Sequence, residues 1–146
     1  MQIESQVVAI GHVIQLAVAP VFLLTGVSGL LGVLTNRLAR IIDRARTLED
    51  RLTGGPVAAQ AGMHEELHFL SQRARRINSA VTLCTVCALL ICAVIVALFV
   101  GAFLSTDLSI LIGLLFTASM LSLFLGLVSF LREVYVATRN LRIGPH

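Results

Sequence analysis

Apolar positions along the chain fall into three long runs, separated by polar segments rich in arginine. The first runs from Val7 to Leu34, with His12, Gln15 and Pro20 set into it. The second runs from Val81 to Leu104 and the third from Leu108 to Leu131. A bilayer core is crossed by about 20 helical residues, so each run predicts a transmembrane helix. The first is the longest and must tilt, kink or protrude. Pro20 is the expected kink, because it lacks the N–H that would bond the Leu16 carbonyl. The predicted fold class is all-α: an integral membrane protein with three transmembrane helices and a cytoplasmic helical hairpin extending spans one and two. The ranges are one membrane domain over 1–146, spans at 7–34, 81–104 and 108–131, the hairpin at 35–80 and a helical tail at 132–143.

The hairpin follows from a change of pattern rather than its loss. Leu31, Leu34, Leu38, Ile41, Ala45, Leu48 and Leu52 recur with 3,4 spacing, and so do Met63, Leu67, Leu70, Ala74, Ile77 and Val81. Such seams belong to helices that pack on one another. Thr53-Gly54-Gly55-Pro56 breaks the pattern with helix-incompatible residues, so a turn is expected near residues 54–62. Antiparallel pairing about it sets Leu48 near Leu67, Leu38 near Ile77 and Asp43 near Arg73, an ion pair worth under about 1 kcal/mol if exposed. Ser105-Thr106-Asp107 is a tight link that makes spans two and three an antiparallel pair. Beyond span three, Leu131, Val134, Thr138 and Leu141 predict a further seam, ended by Gly144-Pro145.

Composition agrees with this reading. The chain is 57% hydrophobic and 13% charged, with a mean hydropathy of +0.92, whereas soluble domains carry about 25% charged residues. The 11 basic residues are all arginine, and every one falls between spans one and two or after span three. The other side holds only Glu4 and Asp107. The positive-inside rule then places the N-terminus outside and the C-terminus in the cytoplasm. MQIESQ lacks the cation that opens a signal peptide, so no cleavage is expected. The net charge of +3 reads as topology. The hairpin arginines Arg37, Arg40, Arg44, Arg73, Arg75 and Arg76 are candidates for contact with anionic lipid headgroups. Asp43, Glu49, Asp50, Glu65 and Glu66 dilute their field, which argues against nucleic acid.

Two motifs suggest metal or redox chemistry and are better read otherwise. Cys84 and Cys87 form a C-x-x-C inside an apolar run with no partner thiol nearby, and read as small packing residues. His64-Glu65-Glu66-Leu67-His68 has zincin spacing. A third protein ligand is missing, since His12 lies across the membrane and His146 at the extreme tail. Glu65 and Glu66 suit the start of a helix through its dipole. No metal, cofactor or catalytic residue is expected.

Span one carries the most informative surface. Opposite its leucine seam (Leu24, Val27, Leu31, Leu34), about 200° round at 100° per residue, lie His12, Gln15, Ala19, Phe22, Gly26, Gly29, Val33 and Asn36. Polar groups are expensive against lipid, and small residues permit close helix approach. This face predicts contact with protein or water: an oligomer interface, a pore with Phe22 as constriction, or a groove for span three, whose Ser119, Ser122, Gly126 and Ser129 form a matching small face.

The arginine-rich stretch Asn36-Arg37-x-x-Arg40-Ile41-x-Asp43-Arg44-x-Arg46, followed by Arg73-x-Arg75-Arg76-Ile77-Asn78 before an apolar run, resembles the small membrane proteins grouped as domain of unknown function 2721, over roughly Val7 to Leu141. The resemblance implies a bacterial inner-membrane protein and assigns no activity. The function expected is non-enzymatic: a homo-oligomeric membrane protein, in its most specific form a channel-like pore lined by span one. The alternative is a scaffold or accessory subunit of a larger complex, and a metal-dependent protease using the HEELH segment comes third.

Overall fold

The structure is a computed structural model that describes residues 1–54 and 57–140, with the backbone alone at 57–61 and 137–140. It consists of α1 (Gln2–Gly54), α2 (Val57–Leu104) and α3 (Ser109–Asn140), and no strand occurs among the described residues. Three helical stretches are long and apolar enough to cross a membrane: Gln2–Gly54, Gly62–Leu104 and Ser109–Val136. Helices satisfy every backbone group within the segment, which a bilayer demands. α1 runs without interruption through Pro20, which lies on its buried side. The expected turn near 54–62 is shorter than predicted, because α2 already begins at Val57. Ala58, Ala59, Gln60 and Ala61 favour helix, and that propensity outweighs Gly62 within the same segment. Gly55, Pro56, Leu141, Gly144 and Pro145 lie outside the described residues.

The chain divides into two compact units. The first comprises Met1–Leu31 with Leu83–Phe124. Its buried residues are mostly small or β-branched: Ala17, Val27, Cys84, Cys87, Ile91, Val94, Ala97, Ser119 and Ser122. Lipid tails are as apolar as leucine, so helices in a membrane gain more from close backbone approach than from apolar burial. The Ser122 hydroxyl donates to the Leu83 carbonyl at 2.7 Å, tying α3 to α2, while that of Ser119 returns to the Phe116 carbonyl of its own helix. An interhelical bond of this kind contributes about 0.6 kcal/mol on average. Cys84 and Cys87 are buried free thiols that act here as packing residues.

The link from α2 to α3 covers residues 105–108, one residue more than predicted. Ser105 adopts φ 51°, and the Thr106 N–H bonds the Gly101 carbonyl at 3.3 Å. This is the six-to-one bond of a Schellman cap, with Ser105 at the left-handed position usually held by glycine. Asp107 then caps α3 by accepting from the Ser109 N–H at 3.1 Å and from the Ser109 hydroxyl. The hydroxyl bond first, and the N–H bond second, hold the Asp107 carboxyl below its ordinary range.

The second unit comprises Gly32–Thr82 with Leu125–His146. Ile41, Leu70 and Ile77 form its core, with Leu38, Ala45, Ala74 and Val81 packed against them. These come from both 3,4 seams, with Leu38 and Ile77 among them. The predicted tail seam needs correction at Leu131, while Val134 is half-buried and the side chains of Thr138 and Leu141 lie outside the described residues. Leu131 is 65% exposed, whereas Glu133 is fully buried. The buried side of α3 instead follows Ser119, Ser122, Gly126, Ser129 and Glu133 at the same 3,4 spacing. Small residues, not leucines, mark the packed side of this helix, because leucine is equally at home against lipid.

Candidate functional site

The polar face of α1 stays uncovered. His12, Gln15, Ala19, Phe22, Gly26, Gly29, Val33 and Asn36 are all exposed, Phe22 by 73%. A Cβ added at Gly26 or Gly29 would meet nothing within 4 Å. The face is therefore no groove for α3 in this chain. Its members recur at 3,4 spacing, as do those of the buried seam Ala17, Pro20, Leu24, Val27, Leu31 and Leu34. One helix thus bears two opposed heptad-like stripes, of which the fold uses one.

The hairpin arginines are not equivalent. Arg37 stacks over the Phe130 ring at 5.2 Å. Arg44 pairs with Glu66 at 2.8 Å in a largely exposed contact, a type worth about 0.2–1 kcal/mol. Arg73 does not take the predicted partner Asp43. Its Nε donates to Glu133 Oε1 at 2.7 Å, and its guanidinium lies 6.0 Å from the Phe69 ring. The reason is solvation: Asp43 is exposed and hydrated, while Glu133 is fully buried and must find a cation. Arg40 and Arg75 are exposed, and the Arg75 carbonyl accepts from the Ser79 hydroxyl at 3.1 Å. Arg76 shares a cleft with Ser79, Ser129, Arg132 and Val136.

Glu133 and Arg132 escaped the sequence reading, which placed both in a helical tail. The signal for Glu133 lay in its heptad position, four residues after Ser129 on the small-residue stripe. Glu133 Oε2 is buried with no hydrogen-bond partner among the described residues, so Arg73 alone compensates this carboxylate. Elsewhere, His64, Glu65 and His68 are exposed on the first turns of α2, and Glu66 is engaged by Arg44. Among the described residues no three His, Cys, Asp or Glu side chains converge as a metal site.

No curated protein and no solved structure matches the chain. A family model does, described as a protein of unknown function (DUF2721), over residues 17–143. That range takes in both arginine-rich stretches and all but His12 and Gln15 of the exposed α1 face. The chain therefore belongs to the DUF2721 family, and its three apolar helices make it a multi-pass membrane protein of that family.

Proposed function

We propose that this protein is a non-enzymatic membrane protein that self-associates through the exposed stripe of α1, and that the assembly is a channel-like pore. The observation that carries the reading is the stripe itself: polar and glycine positions at heptad spacing, left open by a fold that buries the opposite seam. Facing lipid, His12 and Gln15 would be costly. Facing a second copy, Gly26 and Gly29 allow backbones to approach closely, and the two polar side chains meet protein or water. A stripe of glycines fits the same stripe on another copy, which favours a homo-oligomer. The family resemblance suggests a bacterial inner membrane, and the one-sided arginines favour an N-terminus outside and a C-terminus in the cytoplasm. Anionic lipid headgroups are the other proposed partner, and nucleic acid is not.

The test is the oligomeric state of the full chain in nanodiscs, with ion flux in liposomes beside it. Wild type should be oligomeric, and Gly26→Leu with Gly29→Leu should shift it towards monomer. Phe22→Ala should raise ion leak through a wider constriction. An oligomer that conducts neither in wild type nor in Phe22→Ala leaves a scaffold. An oligomer indifferent to both glycine changes removes the α1 interface.

A further inference from the structure

We propose that the cleft between α2 and α3 lined by Arg76, Ser79, Ser129, Arg132 and Val136 is a headgroup site for an acidic phospholipid, whose phosphate the two arginines grip. This narrows the lipid-contact part of the preceding reading to one place and does not depend on self-association through α1. The cleft measures ≈ 340 Å³. Arg76 and Arg132 both line it, and no acidic residue does. The nearest acid in sequence, Glu133, is fully buried and pairs through Oε1 with Arg73. Among the described residues neither Arg76 nor Arg132 joins an ion pair, in contrast to Arg44 and Arg73.

Two uncompensated cations in one cleft repel each other, and an anion between them turns that repulsion into attraction. Guanidinium is the side chain best matched to phosphate, since its fork donates two parallel hydrogen bonds to two oxygens. Ser79 already donates to the Arg75 carbonyl, so the donors left for an anion are Arg76, Arg132 and the Ser129 hydroxyl. The position selects a lipid as the source of the phosphate. Ser79 lies just ahead of the apolar run that starts at Val81, and Ser129 lies in the last turn of the run that ends at Leu131. The cleft thus sits where apolar side chains give way to arginine, the depth at which a phosphodiester lies when its acyl chains run along the helices. The free arginines of this end become specific by sharing a wall, not by their number.

The probe is phosphatidylglycerol, titrated into the detergent-solubilised full-length protein and followed by native mass spectrometry, with phosphatidylcholine as comparator. Phosphatidylglycerol should bind at least about tenfold more tightly, and the pair Arg76→Gln with Arg132→Gln should lower its binding at least about tenfold. The charge-matched pair Arg46→Gln with Arg51→Gln should change it less than about twofold. Millimolar inorganic phosphate should not displace the lipid. Equal losses in the two pairs overturn the site and leave a diffuse basic surface. Absence of any preference for phosphatidylglycerol sinks the lipid reading as a whole. Displacement by inorganic phosphate reassigns the cleft to a free anion. Should the glutamine pair fail to fold, Arg76→Lys with Arg132→Lys preserves charge and removes the fork. Binding intermediate between wild type and background supports the site, and undiminished binding overturns it.

Discussion

Ser105 and Glu133 are the two residues whose setting departs most from what their chemistry prefers. Ser105 is the only non-glycine residue with positive φ among those described, and a Cβ in the left-handed region costs roughly 1–2 kcal/mol. Ser105→Gly should therefore stabilise the chain, by about 0.5–1 kcal/mol after the extra entropy of glycine in the unfolded state is subtracted. Thermal unfolding in detergent measures it, and an unchanged or lower midpoint would refute the strain. Glu133 carries the larger stake. Removing only its partner, in Arg73→Ala, leaves a buried carboxylate uncompensated and should cost about 3–5 kcal/mol. Adding Glu133→Leu to that variant should recover most of the loss, because the apolar replacement needs no partner. A double variant no better than the single one would show that Arg73 acts through packing instead. Neither residue was legible as special. The Ser105 conformation is set by where two helices end, and burial of Glu133 requires neighbouring helices that a linear pattern does not contain.

At the scale of elements, the 3,4 rule succeeded where the packed side is richer in leucine than the rest of the helix and failed where it is not. In α1 every predicted seam position from Leu24 to Leu52 is buried or half-buried. In α2 the seam through Leu70 and Ile77 forms a core with Ile41. Leu70→Ala should thus cost about 2–5 kcal/mol by leaving a cavity. Ile42→Ala, one position off the seam and 39% exposed, should cost under about 1 kcal/mol. Chemical unfolding of the full chain compares the two, and equal costs would argue against a closed seam. In α3 the same rule predicts a packed side through Leu131 and Val134, whereas Leu131 is exposed, Val134 is half-buried and Glu133 is fully buried. The side that packs is the stripe of serines and glycine, which at the same spacing continues to Glu133.

For the molecule as a whole, the orientation proposed from the arginines is open to direct measurement. In a cysteine-free background, cysteines at Ser5 and Asp107 should label from the outside of intact cells, and one at Gly54 should not; external labelling at Gly54 would invert the topology. What the sequence alone determined is the number of helices long and apolar enough to cross a membrane, and the seams of α1 and α2. These are local properties, because a segment in lipid must close its own backbone hydrogen bonds and its periodicity is written residue by residue. The arginine motifs carried the family in the same way. The tertiary structure decided which arginines are committed and which are left, that Arg73 serves Glu133 and not Asp43, that Arg76 and Arg132 share a cleft, and that the glycine stripe of α1 remains open. Each of these depends on how one helix is rotated against another. In a membrane protein hydrophobicity does not encode that rotation, because lipid and protein interior solvate an apolar side chain about equally well.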